Sequence, residues 1–164
     1  MARRIITVFE ILILTTLFVF FAAFVITTNQ NTAIIENTEN FVELVRYKGC
    51  ITEEMYTDFL NGFNTPVSVE ISVEKQPSTD EDVPAEYEFT EEILQDVQRD
   101  KPNNIYRMET GDVIRIVVRK PSATLYDAVV GKLTGSYGYG DSPTITQKGG
   151  MILNEQYDGT EDAP

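Results

Sequence analysis

The chain of 164 residues contains no histidine and no tryptophan, and it has a single cysteine, Cys50. Each absence removes a class of function. Without histidine the most frequent general base and the most frequent metal ligand are both missing, so nucleophilic catalysis through Cys50 or a serine would depend on a lysine or a carboxylate. With one cysteine no disulfide can form within the chain, and stability must come from packing or from neighbouring subunits. Positive charge is also scarce, with 13 basic residues against 26 acidic ones and a net charge of −13. Such a balance repels nucleic acid and anionic headgroups, and leaves a cation or a basic partner as the charged species it would attract.

What is present begins with an apolar run. From Ile5 to Ile26 the polar residues are Thr7, Glu10, Thr15 and Thr16, and 22 residues at 1.5 Å each cover roughly 33 Å, enough for the hydrocarbon core of a bilayer. Threonine hydroxyls can bond back to their own helix. Arg3 and Arg4 precede the run and no basic residue follows until Arg46, so the positive-inside rule predicts a cytoplasmic N-terminus and an exterior remainder. Setting aside Arg3, Arg4 and Glu10 leaves 11 basic and 25 acidic residues outside, a net of −14. A cleavable signal is the rival reading, with Ala22-Ala23 as small residues, but the run exceeds an ordinary signal core and continues as Phe-Val-Ile.

Glu10 stands out inside this run. A carboxylate in an apolar helix costs a few kcal/mol unless it is paired, protonated or near the interface. It can reach the cytoplasmic headgroups or pair with Arg3, one heptad earlier on the same face. Alternatively it accepts a bond from a neighbouring subunit and sets register during assembly.

Helical periodicity persists beyond the membrane run, through Ala33, Ile34, Ile35, Phe41, Val42, Leu44 and Val45, and stops at Gly49. The reading is one helix from about Arg4 to Lys48, with a break to be considered at Thr27 to Thr32. Thr52 caps a short helix through Leu60, with Met55, Phe59 and Leu60 as its core stripe and Gly62 at its end. Val67, Val69, Ile71 and Val73 alternate with polar residues as a half-buried strand. Gln76 to Glu88 reads as a loop, Thr90 to Arg99 as a capped helix, and Ile105 to Glu109 with Val113 to Arg119 as a hairpin around Thr110-Gly111-Asp112. The second hairpin strand, apolar on both faces, belongs in the centre of its sheet. Ser122 to Leu133 has helical spacing, Gly135 to Gly140 is a loop carrying Tyr137 and Tyr139, and a last short strand fits Thr144 to Thr146 or the residues after Gly149-Gly150. From Asn154 the polar, acidic tail predicts disorder.

The predicted class is therefore α+β: a long N-terminal helix, transmembrane and then amphipathic, followed by a small antiparallel sheet with short helices. The expected organisation is a cytoplasmic stub (1–4), a transmembrane helix (5–26), an exterior domain (27–153) and a disordered acidic tail (154–164). No catalytic, cofactor-binding or metal-ligating set is nominated. Gly131-Lys132 lacks the flanking glycine and hydroxyl of a phosphate loop, because Tyr126 and Leu133 occupy those places. Asp80, Glu81 and Asp82 with Glu86 and Glu88, and likewise Asp158 to Asp162, lack the ordered spacing of a calcium loop.

A basic stub, an apolar helix with one glutamate (Ile5-Ile-Thr-Val-Phe-Glu10-Ile-Leu-Ile-Leu14), the amphipathic Asn40-Phe-Val-Glu-Leu-Val-Arg46 and the Gly111-Asp112-Val113 turn together resemble a type IV pilin-like subunit. More narrowly, the layout resembles TadE-like minor pilins, or pseudopilins, and relatives in Gram-positive conjugative elements. The resemblance implies a non-enzymatic, membrane-stored subunit that meets other pilin-like subunits or an assembly machine through its N-terminal helix, with Glu10 as the docking contact. It departs from the family in one respect. Placing Glu10 at the family's fifth mature position puts processing between Ile5 and Ile6, where no small residue stands, which favours an uncleaved anchor. The rival from another class is a single-pass anchored binding module for a cell-surface ligand.

Overall fold

The computed structural model describes residues 2–76, 86–99, 105–121, 135 and 143–154. The first element, α1, is a helix of 47 residues, Ala2–Lys48, about 70 Å long at 1.5 Å per residue. It contains neither glycine nor proline, and it passes through Thr27 to Thr32 without the break considered above. There the hydroxyls of Thr28 and Thr32 donate to the carbonyls of Phe24 and Thr28, at 2.9 and 3.0 Å, so they leave the helix ladder intact. Gly49 ends it with φ 65°, and its N–H returns to the Val45 carbonyl at 2.8 Å, a left-handed stop that glycine adopts without strain.

Strand β1 (Cys50–Thr52) follows, and then α2 (Glu53–Asn61) with Thr52 as N-cap accepting from the Met55 N–H at 3.1 Å. Gly62 closes α2 in a right-handed conformation, φ −69°. Its lack of a side chain matters for another reason: a Cβ there would meet the Asn37 amide nitrogen at 2.6 Å. Met55 and Phe59 are buried, whereas Leu60, expected in the same stripe, is 39 % exposed. One residue beyond Phe59 turns it about 100° round the helix, away from α1.

The main sheet has four antiparallel strands in the order β3-β2-β5-β6: β2 is Ser68–Lys75, β3 Glu86–Phe89, β5 Val113–Arg119 and β6 Thr144–Met151. Helix α3 (Thr90–Arg99) follows β3 directly. β5 is central, as its apolar content required. Three sequence expectations are corrected. Glu86 to Glu88, read as loop, pair with β2 as an edge strand, because Tyr87 and Phe89 point to one face and Glu88 to the other. The final strand is a single run of eight residues, and Gly149 and Gly150 lie inside it. The predicted hairpin does not form: β4 (Ile105–Arg107) pairs with β1, whereas β5 pairs with β2 and β6.

The turn explains that last divergence. The buried Asp112 carboxylate accepts the backbone N–H groups of Glu109 at 2.9 Å and Gln76 at 3.2 Å, and Gly111 takes φ 105°. Asp112 thereby carries the chain from the small β1-β4 ladder into the main sheet instead of folding it back on itself. The expectations for Ser122 to Leu133, Tyr137 and Tyr139, the acidic triplet Asp80 to Asp82, and the tail beyond Asn154 lie outside the described residues.

The core forms where the outer half of α1 meets the inner face of the sheet. Ile34, Thr38, Phe41, Val42 and Val45 are buried along one stripe of α1, and they oppose Ile71, Val73, Ile114, Ile116 and Val118, all at most 1 % exposed. Phe41 stacks on Phe59 with centroids 4.2 Å apart, and Phe59 meets Phe63 edge-on at 4.8 Å. Leu44 faces outward.

The tight pairing of β6 beside β5 sets a test. A Cβ on Gly149 would come within 2.5 Å of the Ile114 carbonyl oxygen, so Gly149→Ala is expected to destabilise the fold by about 1–3 kcal/mol. Denaturant unfolding of the detergent-solubilised chain measures it, and exposed Thr144→Ala should change stability by less than about 0.5 kcal/mol.

Candidate functional site

Two regions carry charged groups in settings that composition alone does not explain. The first is the inner half of α1. From Ile6 to Ile26 its large side chains are between 39 and 72 % exposed, so no part of the described domain covers them. Thr15 and Thr16 donate to the carbonyls of Ile11 and Leu12 at 2.7 and 2.8 Å, as the sequence led us to expect. This is the one helix among the described residues that is long and apolar enough to cross a membrane.

Glu10 is exposed on this segment. At 100° per residue it shares a face with Leu14, Leu17, Phe21 and Phe24, roughly 100° round from the stripe Ile34, Thr38 and Val45 that the domain covers. Leu14, Leu17, Phe18, Phe21 and Phe24 also border an apolar depression of about 510 Å³. Arg3 and Arg4 belong to the helical backbone of α1.

The second region was not anticipated from sequence. Glu88 on β3 receives the Lys75 ammonium of β2 on one oxygen and, on the other, the Tyr106 hydroxyl of β4 at 2.6 Å. Lys75 also lies 6.0 Å from the centre of the Tyr106 ring. One carboxylate thereby ties both sheets together. The period-two alternation of Glu86, Tyr87, Glu88 and Phe89 was the available signal, masked by the proline-rich, acidic residues before it.

Electrostatically this cluster is settled, not reactive. The hydrogen bond to Glu88 holds the Lys75 ammonium above its usual range. Burial and then the Glu88 bond push the Tyr106 phenol strongly upward. Burial opposes ionisation of Glu88, but its bonds from Lys75 and Tyr106 outweigh that and keep it below the ordinary glutamate range. At neutral pH lysine stays cationic and tyrosine neutral, so neither is poised as a base or nucleophile. Cys50 is fully buried and burial pushes its thiol up, which makes it inert. Among the described residues no three cysteine, aspartate or glutamate side chains gather in a way that could hold a metal ion.

On the outer face of the sheet a shallow groove of about 480 Å³ lies between Glu70, Ser72, Phe89, Glu91 and Val117. Glu70 is paired with Arg119 at 2.9 Å, Thr90 bridges to Ile71, and Glu92 accepts the Phe89 N–H at 3.0 Å.

No family model, curated protein or solved structure matches this chain. Its function must therefore be read from the geometry itself, namely an uncovered apolar helix bearing one carboxylate and a domain in which the half-buried Lys75-Glu88-Tyr106 cluster is internally satisfied.

The cluster yields a pH prediction with a definite sign. The folded pKa of Glu88 lies below its unfolded value, so its stabilisation is complete above about pH 4.3 and is lost as pH falls through the lower folded value. Glu88→Gln is expected to cost about 1 kcal/mol at pH 7, since Lys75 is partly solvent-screened, and to flatten the decline in acid. Unfolding midpoints of both proteins from pH 7 to 3 measure this.

Proposed function

We propose that this chain is a structural, pseudopilin-like subunit of a pilus, secretion or conjugation apparatus. Its helix α1 is the single membrane anchor, with the N-terminus cytoplasmic and the α+β domain outside. The observation that carries the reading is the continuity of α1: one unbroken helix bears an uncovered apolar half with Glu10 and an outer half built into the domain core. Such a rod transmits any contact made in the membrane to the position of the exterior domain, which an assembling subunit requires. A flexible linker would suffice for a mere tether.

Glu10 supplies the chemical reason for a partner. Its face carries Leu14, Leu17 and Phe21 along the anchor, and a carboxylate there is stabilised when another subunit offers it a hydrogen-bond donor or a cation. The competing role, a membrane-anchored binding module, draws support from Tyr87 and Phe89, 53 and 60 % exposed on the outer sheet face. The two are separated by what is lost when Glu10 changes, since a ligand-binding sheet is indifferent to it.

In membranes, Glu10→Leu should leave insertion unchanged and reduce cross-linked or co-purified complexes about tenfold, the equivalent of one intramembrane polar contact of about 1–2 kcal/mol. Complexes of unchanged yield would remove the docking role. The intact mass of the chain from purified membranes should retain Arg3 and Arg4, and a mature start at Ile6 would instead show processing.

A further inference from the structure

Helix α2 runs back along α1 toward its apolar half. Phe59 stacks on Phe41, and its carbonyl accepts the Asn37 amide at 2.9 Å. Beyond it, Asn64 and Thr65 share a small cleft of about 190 Å³ with Asn29, Gln30 and Ala33. Asn29 and Gln30 stand only three to four residues past Ile26, about 5 Å along the axis. The headgroup layer on each side of a bilayer is roughly 5–8 Å deep. On the membrane-anchored reading above, the loop after α2 therefore lies at headgroup level.

The charge pattern agrees with that placement. From Thr27 onward 36 of 138 residues are charged, about one in four, yet residues 27–35 and 59–67 contain none. Both signs are excluded, acidic groups that phosphates would repel and basic groups alike, which leaves amides, hydroxyls and apolar side chains in the two stretches. Leu60 is 39 % exposed in this same rim. The sheet end that adjoins it, where Ser68 pairs with Arg119 and Arg119 with Thr144, carries Arg119 and Lys120, and Glu70 there is neutralised by Arg119. We infer that the exposed side chains of the uncharged rim, residues 27–35 and 59–67 other than the buried Ile34 and Phe59, form a lipid-contact surface that seats the exterior domain upright on phospholipid headgroups. Amides and hydroxyls in the rim bond to headgroup and interfacial water, while Leu60 faces the acyl boundary.

Site-specific quenching tests this on the full chain. A fluorophore is attached at Asn64→Cys or, as a control at the far end of α1, at Tyr47→Cys, where the native side chain is 70 % exposed. Buried Cys50 stays unlabelled in the folded protein. In phosphatidylcholine vesicles containing headgroup spin-labelled lipid, quenching at 64 should exceed that at 47 by about threefold or more, because the quencher acts within the headgroup layer. Weak quenching at both positions in a chain that floats with the vesicles would overturn the seating while leaving the anchor intact. Strong quenching at both would mean that the domain lies on its side, which also overturns it. A chain that fails to float would remove the membrane-anchored reading and this inference with it.

Discussion

The stripe Ile34, Thr38, Phe41, Val42 and Val45 is the contact on which the α+β domain depends, because it makes one helix serve two surroundings. On its inner half α1 presents apolar side chains all round, a pattern suited to lipid. On its outer half the apolar residues narrow to one stripe, and the sheet and α2 close over it. Thr38 lies within the stripe, where its hydroxyl donates to the Ile34 carbonyl at 2.7 Å, so that even the polar member is satisfied in the core. Since no glycine or proline interrupts the helix, the domain cannot turn independently of the segment below it.

Around that stripe the polar groups act as fasteners. Lys148 of β6 reaches Glu39 at 2.9 Å, and the Arg46 guanidinium donates to the Met151 carbonyl at 2.9 Å, pinning the strand along the helix at two levels. Glu88 joins β3 and β2 to β4, and Asp112 joins the end of β2 to the turn before β5. The carboxylates of Glu88 and Asp112 are each answered by two specific donors, as the cost of burying charge demands. Among the described residues most other carboxylates are displayed outward, except around the base of the domain. There the two uncharged stretches come together through the fold, although they are more than twenty residues apart in the chain.

Much of the architecture was legible before any coordinates. The helix limits, Gly49 as stop, Thr52 as cap, β2 from its alternation and the central place of β5 all follow from local patterns. Those patterns express backbone geometry and one-sided burial within a few residues. The failures share a different cause. Ile105 to Arg119 looked like a hairpin because proximity in sequence favours pairing, yet the Asp112 carboxylate and the competing edge of β1 redirect both strands. Glu86 to Phe89 looked like loop because its polar surroundings hid a two-residue alternation that only β2 makes meaningful.

The same division holds for the functional residues. By itself the sequence determined that α1 is long and apolar enough to cross a membrane, that Glu10 is out of place within it, and that histidine-based chemistry is absent, since these depend on composition and spacing along one helix. Only the tertiary structure decided that Asp112 leads the chain into the main sheet, that Glu88 is held by Lys75 and Tyr106, and that residues 59–67 return beside residues 27–35. Those facts arise from contacts between distant segments, and no local propensity encodes which distant partner a side chain will meet.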